Sequence, residues 1–329
     1  MKSLRNHPLA RFISKLIIMV VSTILTFIIV CIPLEIVLRT EYSKEHLLGV
    51  YVEFPERVLP TQNSQGYRDI EHTLEKPPGI TRIVFVGDSF TFGWGVTDDE
   101  VYTHLLREMS GPEVEIISIA ERGWSVDDYH RAMHEEVLAY DPDMVVVGVV
   151  TNDPEPQTID PNSEHKLLTL QPDWYIFRRI TRKLYVPFFL DYQISRLGDR
   201  LGLRYTYLDW EDDLYDQEHP NWERWERKVD EMGTLLEEHD IPAYAFILTN
   251  VRTKTERELR KYRLSVETFS AAGFETIDLE PAFSETFAGY SPVQLAVFPN
   301  DGHPNELVHR FYAREIWAVL EPAVEDMRE

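Results

Sequence analysis

Cysteine is almost absent from this chain: Cys31 is the only one in 329 residues. No intramolecular disulfide can form, and cysteine-based catalysis and zinc ribbons drop out with it. No internal repeat is visible, and no basic stripe with interleaved aromatics runs along the sequence. The formal charge is −23; residues 1–44 hold six basic and two acidic side chains, a net +4, which leaves −27 for the rest. A body of that sign repels nucleic acid and anionic lipid head groups, so no nucleic-acid partner is expected. A zinc signature is missing as well. His130 and His134 stand four apart, but Glu135 and Glu136 lie outside the pair rather than inside it as in His-Glu-x-x-His. With no third ligand in view, the pair reads as a solvated helix face.

What the chain does have is an apolar start. Leu16 to Leu34 is a run of 19 uncharged, mostly apolar residues, long enough to cross a bilayer at the helical rise. Lys2, Arg5, Arg11 and Lys15 precede it, while Arg39 and Lys44 follow among Glu41 and Glu45. The basic excess before the run predicts a cytoplasmic N-terminus and an exported body, in the periplasm or at the cell exterior. No Ala-x-Ala-like site follows, and Cys31 lacks the small residues of a lipoprotein cleavage site, so the run reads as an uncleaved signal anchor. The expected organisation is a cytoplasmic segment 1–15, a transmembrane helix 16–38, a stalk or lead-in 39–80 with several prolines, and one domain over 81–329. The 43% hydrophobic content suffices for one sizeable core.

Within that domain strands and helices alternate. Arg82–Val86, Val114–Ala120, Met144–Val150, Ala243–Leu248 and Glu275–Leu279 read as strands. Helices are expected over Glu100–Met109, Val126–Ala139, Trp222–His239, Glu256–Ala272 and Glu306–Glu325. The near-continuous apolar character of Met144–Val150 predicts a strand covered on both faces, and the alternation predicts a doubly wound parallel sheet. An insertion interrupts the pattern at about 154–219. It carries Trp174, Tyr175, Phe177, Tyr185, Phe188 and Phe189 among Arg178, Arg179, Arg182 and Lys183. Helices on the rim of the domain are one reading of it, and a substrate cap is the other.

The most informative stretch is Gly87-Asp88-Ser89-Phe90-Thr91-Phe92-Gly93-Trp94-Gly95-Val96, directly after the first strand. In open α/β sheets ligands bind outside the carboxyl ends of the strands. A serine there can be a nucleophile, a phosphate ligand or a turn residue. Three later segments bear on the choice: Ile116 to Ser125 with Gly123, then Thr151-Asn152-Asp153, then Asn300-Asp301-Gly302-His303-Pro304-Asn305. Each alone reads as a turn, and Asp301-Gly302 is an ordinary turn dipeptide.

Together, in this order, the four segments resemble the SGNH (GDSL-type) hydrolase family, from about Asn63 to the last helix. Asn63-Ser64-Gln65-Gly66-Tyr67-Arg68-Asp69 resembles the lead-in of its membrane-anchored bacterial members. The resemblance implies a flavodoxin-like five-stranded parallel sheet flanked by helices. It implies Ser89 as nucleophile, His303 as base, Asp301 as the acid orienting His303, and an oxyanion hole from the Ser89 and Gly123 N–H groups and the Asn152 amide. Two positions depart from the family pattern. Val150 stands where a glycine is usual, and Asn300 where the acid is usual, so that the acid is Asp301, two residues before His303. The Gly-x-Ser-x-Gly elbow of other α/β hydrolases is absent.

An ester carbonyl needs a nucleophile, a base and dipoles for the tetrahedral oxyanion, and these residue types supply all three with no metal or cofactor. Trp94 and Trp124, near the nucleophile and the oxyanion glycine, are candidate substrate-facing aromatics. The expected activity is a membrane-anchored serine esterase acting on small acyl esters of the O-acetyl type, on an envelope or exported polysaccharide. An O-acyltransferase with the same residues is the second reading, and a non-catalytic binding or assembly module on the same fold is the third.

Overall fold

The computed structural model describes residues 8–41, 60–156, 207–252, 254–297 and 302–328, with the single positions 186, 197 and 201. The chain divides into two compact units, Met1–Val52 with Leu167–Tyr205, and Glu53–Lys166 with Thr206–Glu329.

In the first unit, the 34 residues Pro8–Glu41 form one helix, α1, with Pro33 inside it. It contains the whole apolar run, and Ile18, Leu25 and Ile29 on it are exposed. Near its end Leu38 is buried, and Glu35 accepts the Val186 N–H at 2.8 Å while pairing with Arg39 one turn on. The expected transmembrane helix is not identified as such: no helix of the described residues qualifies as a membrane span.

The second unit is built on five parallel strands, β1 (Thr81–Gly87), β2 (Val114–Ala120), β3 (Met144–Val149), β4 (Ala243–Ile247) and β5 (Glu275–Asp278), in the order β2-β1-β3-β4-β5. That is the flavodoxin-like order. The helices of this unit are α2 (Ser89–Phe92), α3 (Tyr102–Ser110), α4 (Val126–Glu135), α5 (Tyr207–Leu214), α6 (Pro220–Glu238), α7 (Glu256–Ala271), α8 (Glu280–Thr286), α9 (Pro292–Leu295) and α10 (Glu306–Asp326). Alternate residues of each strand enter opposite cores. Ile83, Phe85 and Val146 pack with Tyr102 of α3 and Phe311 and Ile316 of α10. Val84, Val86 and Val147 pack with Tyr129 of α4, Trp225 of α6 and Phe269 of α7. Such strands have no polar face, hence their continuous apolar sequence. Each such side chain taken fully out of water contributes about 1.5–3 kcal/mol.

Two elements end where composition alone does not say. Helix α4 stops at Glu135 and tightens into a 3-10 turn, Val137–Tyr140, with Asp141 left-handed at φ 51°. The tightening brings the Tyr140 carbonyl onto the Arg82 guanidinium. Helix α10 starts one residue after Asn305, whose side chain accepts the Leu307 N–H at 3.1 Å. Pro304 therefore stands before the helix and pairs with Ala296 in an antiparallel bridge.

Residues 60–80, which composition assigns to a stalk, are a strap packed along edge strand β2. Asp69 is buried, accepts the Ser118 N–H at 2.7 Å and pairs with Arg107 and with His72 at 3.2 Å. His72 reaches Glu115 at 2.7 Å, and Glu115 pairs with Arg82 at 2.7 Å. Arg82 also donates to the Thr73 and Leu74 carbonyls, each at 3.0 Å. The strap thereby covers a strand edge that would otherwise present unpaired backbone groups. Its polar sequence reads as solvated because pairing partners distant in sequence cannot be seen locally.

The insertion also ends earlier than expected. Leu214 and Tyr215 are fully buried, with Tyr215 edge-on to Trp225 at 5.6 Å, so residues 207–219 belong to the body. The aromatic and basic residues singled out between 174 and 189 lie outside the described residues.

Candidate active site

Strand β1 delivers the serine. Gly87, its last residue, stands opposite Ala120 of β2 and Gly148 of β3. A Cβ on Gly87 would lie 2.1 Å from Thr91 Oγ1, and one on Gly148 2.4 Å from the same atom. The two glycines let the turn of α2 settle onto the strand ends, with Thr91 hydrogen-bonded to Tyr102 Oη at 2.9 Å. Asp88 caps α2 by accepting the Phe90 N–H at 2.8 Å, which leaves Ser89 as its first residue.

His303 arrives from the far end of the chain. Its carbonyl accepts the Val297 N–H at 3.1 Å, and the Asn305 N–H donates to the Leu295 carbonyl at 2.8 Å, so a small antiparallel link fixes the loop. The result is His303 Nε2 2.8 Å from Ser89 Oγ. The imidazole lies 5.1 Å from the Phe90 ring and 6.3 Å from the Trp94 ring, centroid to centroid. Ser89 is nearly buried, at 9% exposure. Its hydroxyl has a second partner in Asp88 Oδ2 at 3.1 Å; the shorter contact is the one to the base.

Gly123 and Asn152 follow the two strands that flank β1. Gly123 is left-handed at φ 74°, in a turn closed by Trp124 N–H to the Glu121 carbonyl, and a Cβ there would meet open space. Backbone conformation, not crowding, is what calls for glycine at this position. The Asn152 side chain lies near enough to the Asp88 carboxyl to favour its charged form, which places it beside the serine turn. A primary amide carries two N–H donors that a reactant's oxygen can accept. Trp94 is buried as a wall beside His303, with the Arg122 guanidinium 5.2 Å from its ring. Trp124 packs edge-on to Tyr67 at 6.0 Å, with Arg131 over its face at 5.4 Å. Asp301 and Asn300 lie outside the described residues. Their neighbour Gly302 is held through its carbonyl, which accepts the Val251 N–H at 3.2 Å.

Behind the serine lie two carboxyl groups, Asp88 and Asp153, to which the sequence pattern assigns no role. Asp88 is fully buried, and burial pushes its pKa above the ordinary carboxylate value against the opposing effects of the Phe90 N–H and His303. Asp153, fully buried too, is pushed well above it by burial and by Asp88. Asp153 accepts the Tyr129 hydroxyl at 2.8 Å and the Val150 N–H at 3.0 Å. Through these bonds Asp153 ties the end of β3, including the unusual Val150, to helix α4. Arg68 is a further residue whose importance the sequence only hints at, through the lead-in that contains it. His130 and His134 stand ring to ring at 4.6 Å on α4, with Glu231 2.9 Å from His130.

No protein-family model matches the chain, and no curated protein matches it. Among solved structures, TesA is similar at 12% identity and a TM-score of 0.45, over 74% of this chain and 99% of that one. The esterase EstA from Pseudoalteromonas sp. gives 12% and 0.45 over the same shares. The acetylxylan esterase Axe2 from Geobacillus stearothermophilus gives 14% and 0.43, over 72% of this chain and 93% of that one. At such scores the likenesses decide nothing about function, which rests on the site itself.

Proposed function

We propose that the chain is a serine esterase of the SGNH type that cleaves small acyl esters, with carbohydrate O-acetyl groups as the substrate class. The observation that carries this is the 2.8 Å contact between His303 Nε2 and Ser89 Oγ at the carboxyl end of a central parallel strand. Ser89 Oγ attacks the ester carbonyl while His303 takes its proton. The oxyanion is held by the Ser89 and Gly123 N–H groups and by the Asn152 side-chain amide. The C–O bond to the alcohol breaks as His303 returns the proton to the leaving oxygen. Water then repeats the attack on acyl-Ser89, with His303 again as base, to release the acid. Asp301, two residues from His303 in sequence, is assigned to orient the imidazole and stabilise its charged form.

Helix α1 is assigned as a signal anchor that holds this domain on the outer side of a membrane. Its exposed apolar side chains and the basic excess at its N-terminal side support that reading. Retention in the membrane fraction after alkaline carbonate washing is the expected result, and release by the wash would remove the assignment.

The activity is tested by following acetate release from acetylated sugars by the full-length chain, with Ser89→Ala beside it. Release by the parent alone supports the reading. If a folded parent releases nothing from any small acyl ester, the reading is wrong. Donor consumption that accelerates on adding a free sugar would make the enzyme an acyltransferase with the same residues.

A further inference from the structure

Arg68 touches neither Ser89 nor His303, yet its contacts reach both from behind. It is 2% exposed. Nη1 donates to the Phe92 carbonyl at 3.2 Å and to that of Gly93, Nη2 to the Val96 carbonyl at 2.7 Å, and Nε pairs with Asp98 at 2.6 Å. The guanidinium also lies 5.4 Å from the centroid of the Phe92 ring. All three carbonyls belong to the end of α2 and the loop that follows it, where Gly93 and Gly95 are left-handed at φ 77° and 86°. Buried carbonyls need donors, and a planar fork of five N–H groups can serve several at once where an ammonium cannot hold the same geometry.

That loop meets the catalytic pair in two places. The Trp94 N–H donates to the Ser89 carbonyl at 2.9 Å, and its ring stands beside His303. Gly95 lies so close to Val297 that a Cβ there would be 2.2 Å from Val297 Cγ1. Val297, in turn, donates its N–H to the His303 carbonyl. A continuous set of contacts thus runs from Arg68 through the loop to the base.

We propose that Arg68 is a positioning residue: by gathering the Phe92, Gly93 and Val96 carbonyls it fixes the loop that holds Trp94 and His303 against Ser89. The proposal rests on the esterase reading of that pair. The strap residues are then part of the working site and not only a cover for strand β2.

The alternative is that Arg68 merely holds the strap, and Arg82 supplies the control. Arg82 is fully buried and clamps the same strap through the Thr73 and Leu74 carbonyls, at the opposite end of β1. The experiment uses the full-length chain and reads two quantities: the rate of Ser89 labelling by a fluorophosphonate per folded molecule, and hydrogen exchange at the Trp94, Val96 and Val297 amides. Arg68→Ala is expected to label roughly 10²-fold more slowly, as for a displacement of about 1 Å at the reacting atoms. Added guanidinium ion at millimolar concentration restores part of the rate, and the three amides exchange faster. Arg82→Ala lowers Tm but leaves labelling and the three amides as in the parent. Asp98→Asn keeps the guanidinium and removes its ionic partner; it gives a smaller loss in the same direction and replaces Arg68→Ala if that variant does not fold. Parent-like labelling and exchange in the folded variant overturns the proposal, and so does an equal loss in Arg82→Ala. A parent that does not label would sink the esterase reading, while exchange at the three amides would still decide whether Arg68 sets the loop.

Discussion

The two ends of strand β1 treat buried charge in opposite ways. At the amino end Arg82 meets Glu115, and alongside the strand Asp69 meets Arg107, His72 and the Ser118 N–H. Burial would raise the Asp69 pKa, but His72 and Arg107 outweigh it and hold it below the ordinary value. At the carboxyl end Asp88 and Asp153 are fully buried among mostly neutral donors, and both are pushed up. The first arrangement contributes stability; the second costs it. Natural proteins tend to break the rules of stable burial where function requires it, and the costly end is the one that carries the serine.

Substitutions at the two ends should therefore act on different quantities, activity at one and stability at the other. The largest effects belong to the carboxyl end. Ser89→Ala and His303→Ala should each slow ester cleavage by about 10⁶-fold with Tm little changed, since each disables the attack itself. Asp301→Ala should cost on the order of 10⁴-fold and Asn300→Ala little, as for loss of the group that orients a catalytic histidine. A more damaging Asn300 change would reverse that assignment. Asn152→Ala should cost roughly 10²–10³ in turnover, the usual loss for one oxyanion donor, with KM changing less than kcat. At the amino end, Arg82→Ala should lower stability by about 3 kcal/mol by taking a donor from Glu115 and from the Thr73 and Leu74 carbonyls, measured by denaturant unfolding.

The smallest effects are differences in how stability depends on pH. Because Asp69 has a depressed pKa, its contribution is present above the unfolded value of about 3.9 and is lost as the pH falls through the folded one. Asp69→Asn should therefore lower Tm at pH 7, and the gap to the parent should close in acid. Asp153 has a raised pKa, so its contribution is complete below the unfolded value and disappears as the pH rises through the folded one. Asp153→Asn can still serve both partners, with its carbonyl accepting from Val150 and its amide donating to Tyr129. Its Tm should gain on the parent as the pH rises above the unfolded carboxylate value of about 3.9. If both variants shifted in the same direction, the contrast between the ion-paired Asp69 and Asp153, held by neutral donors, would be lost.

Much of the fold was legible because the strands have both faces covered. Val84, Val86, Val145 and Val147 leave no polar alternation to confuse with a helix, and turn residues bound each run. Ser89 and His303 were legible only as a pattern of segments, since nothing local joins residues separated by 214 positions. The strap was not legible. Arg68, Asp69, His72 and Arg82 look solvated in sequence because their partners are backbone carbonyls and distant carboxylates, which leave no mark on neighbouring residues. The premature end of α4 has the same origin, in the contact of the Tyr140 carbonyl with Arg82. Residues 207–219 look like insertion in sequence because their aromatic partner, Trp225, lies in a helix that follows them.

The most direct measurement is covalent labelling of the full-length chain by a fluorophosphonate, read by intact mass beside Ser89→Ala. The probe needs an activated serine and makes no assumption about the acyl group or the alcohol. A single adduct on the parent, absent from the variant, is the predicted result. Well-folded parent protein that stays unmodified, or that is modified equally in Ser89→Ala, would contradict the assignment of Ser89 and His303 as nucleophile and base.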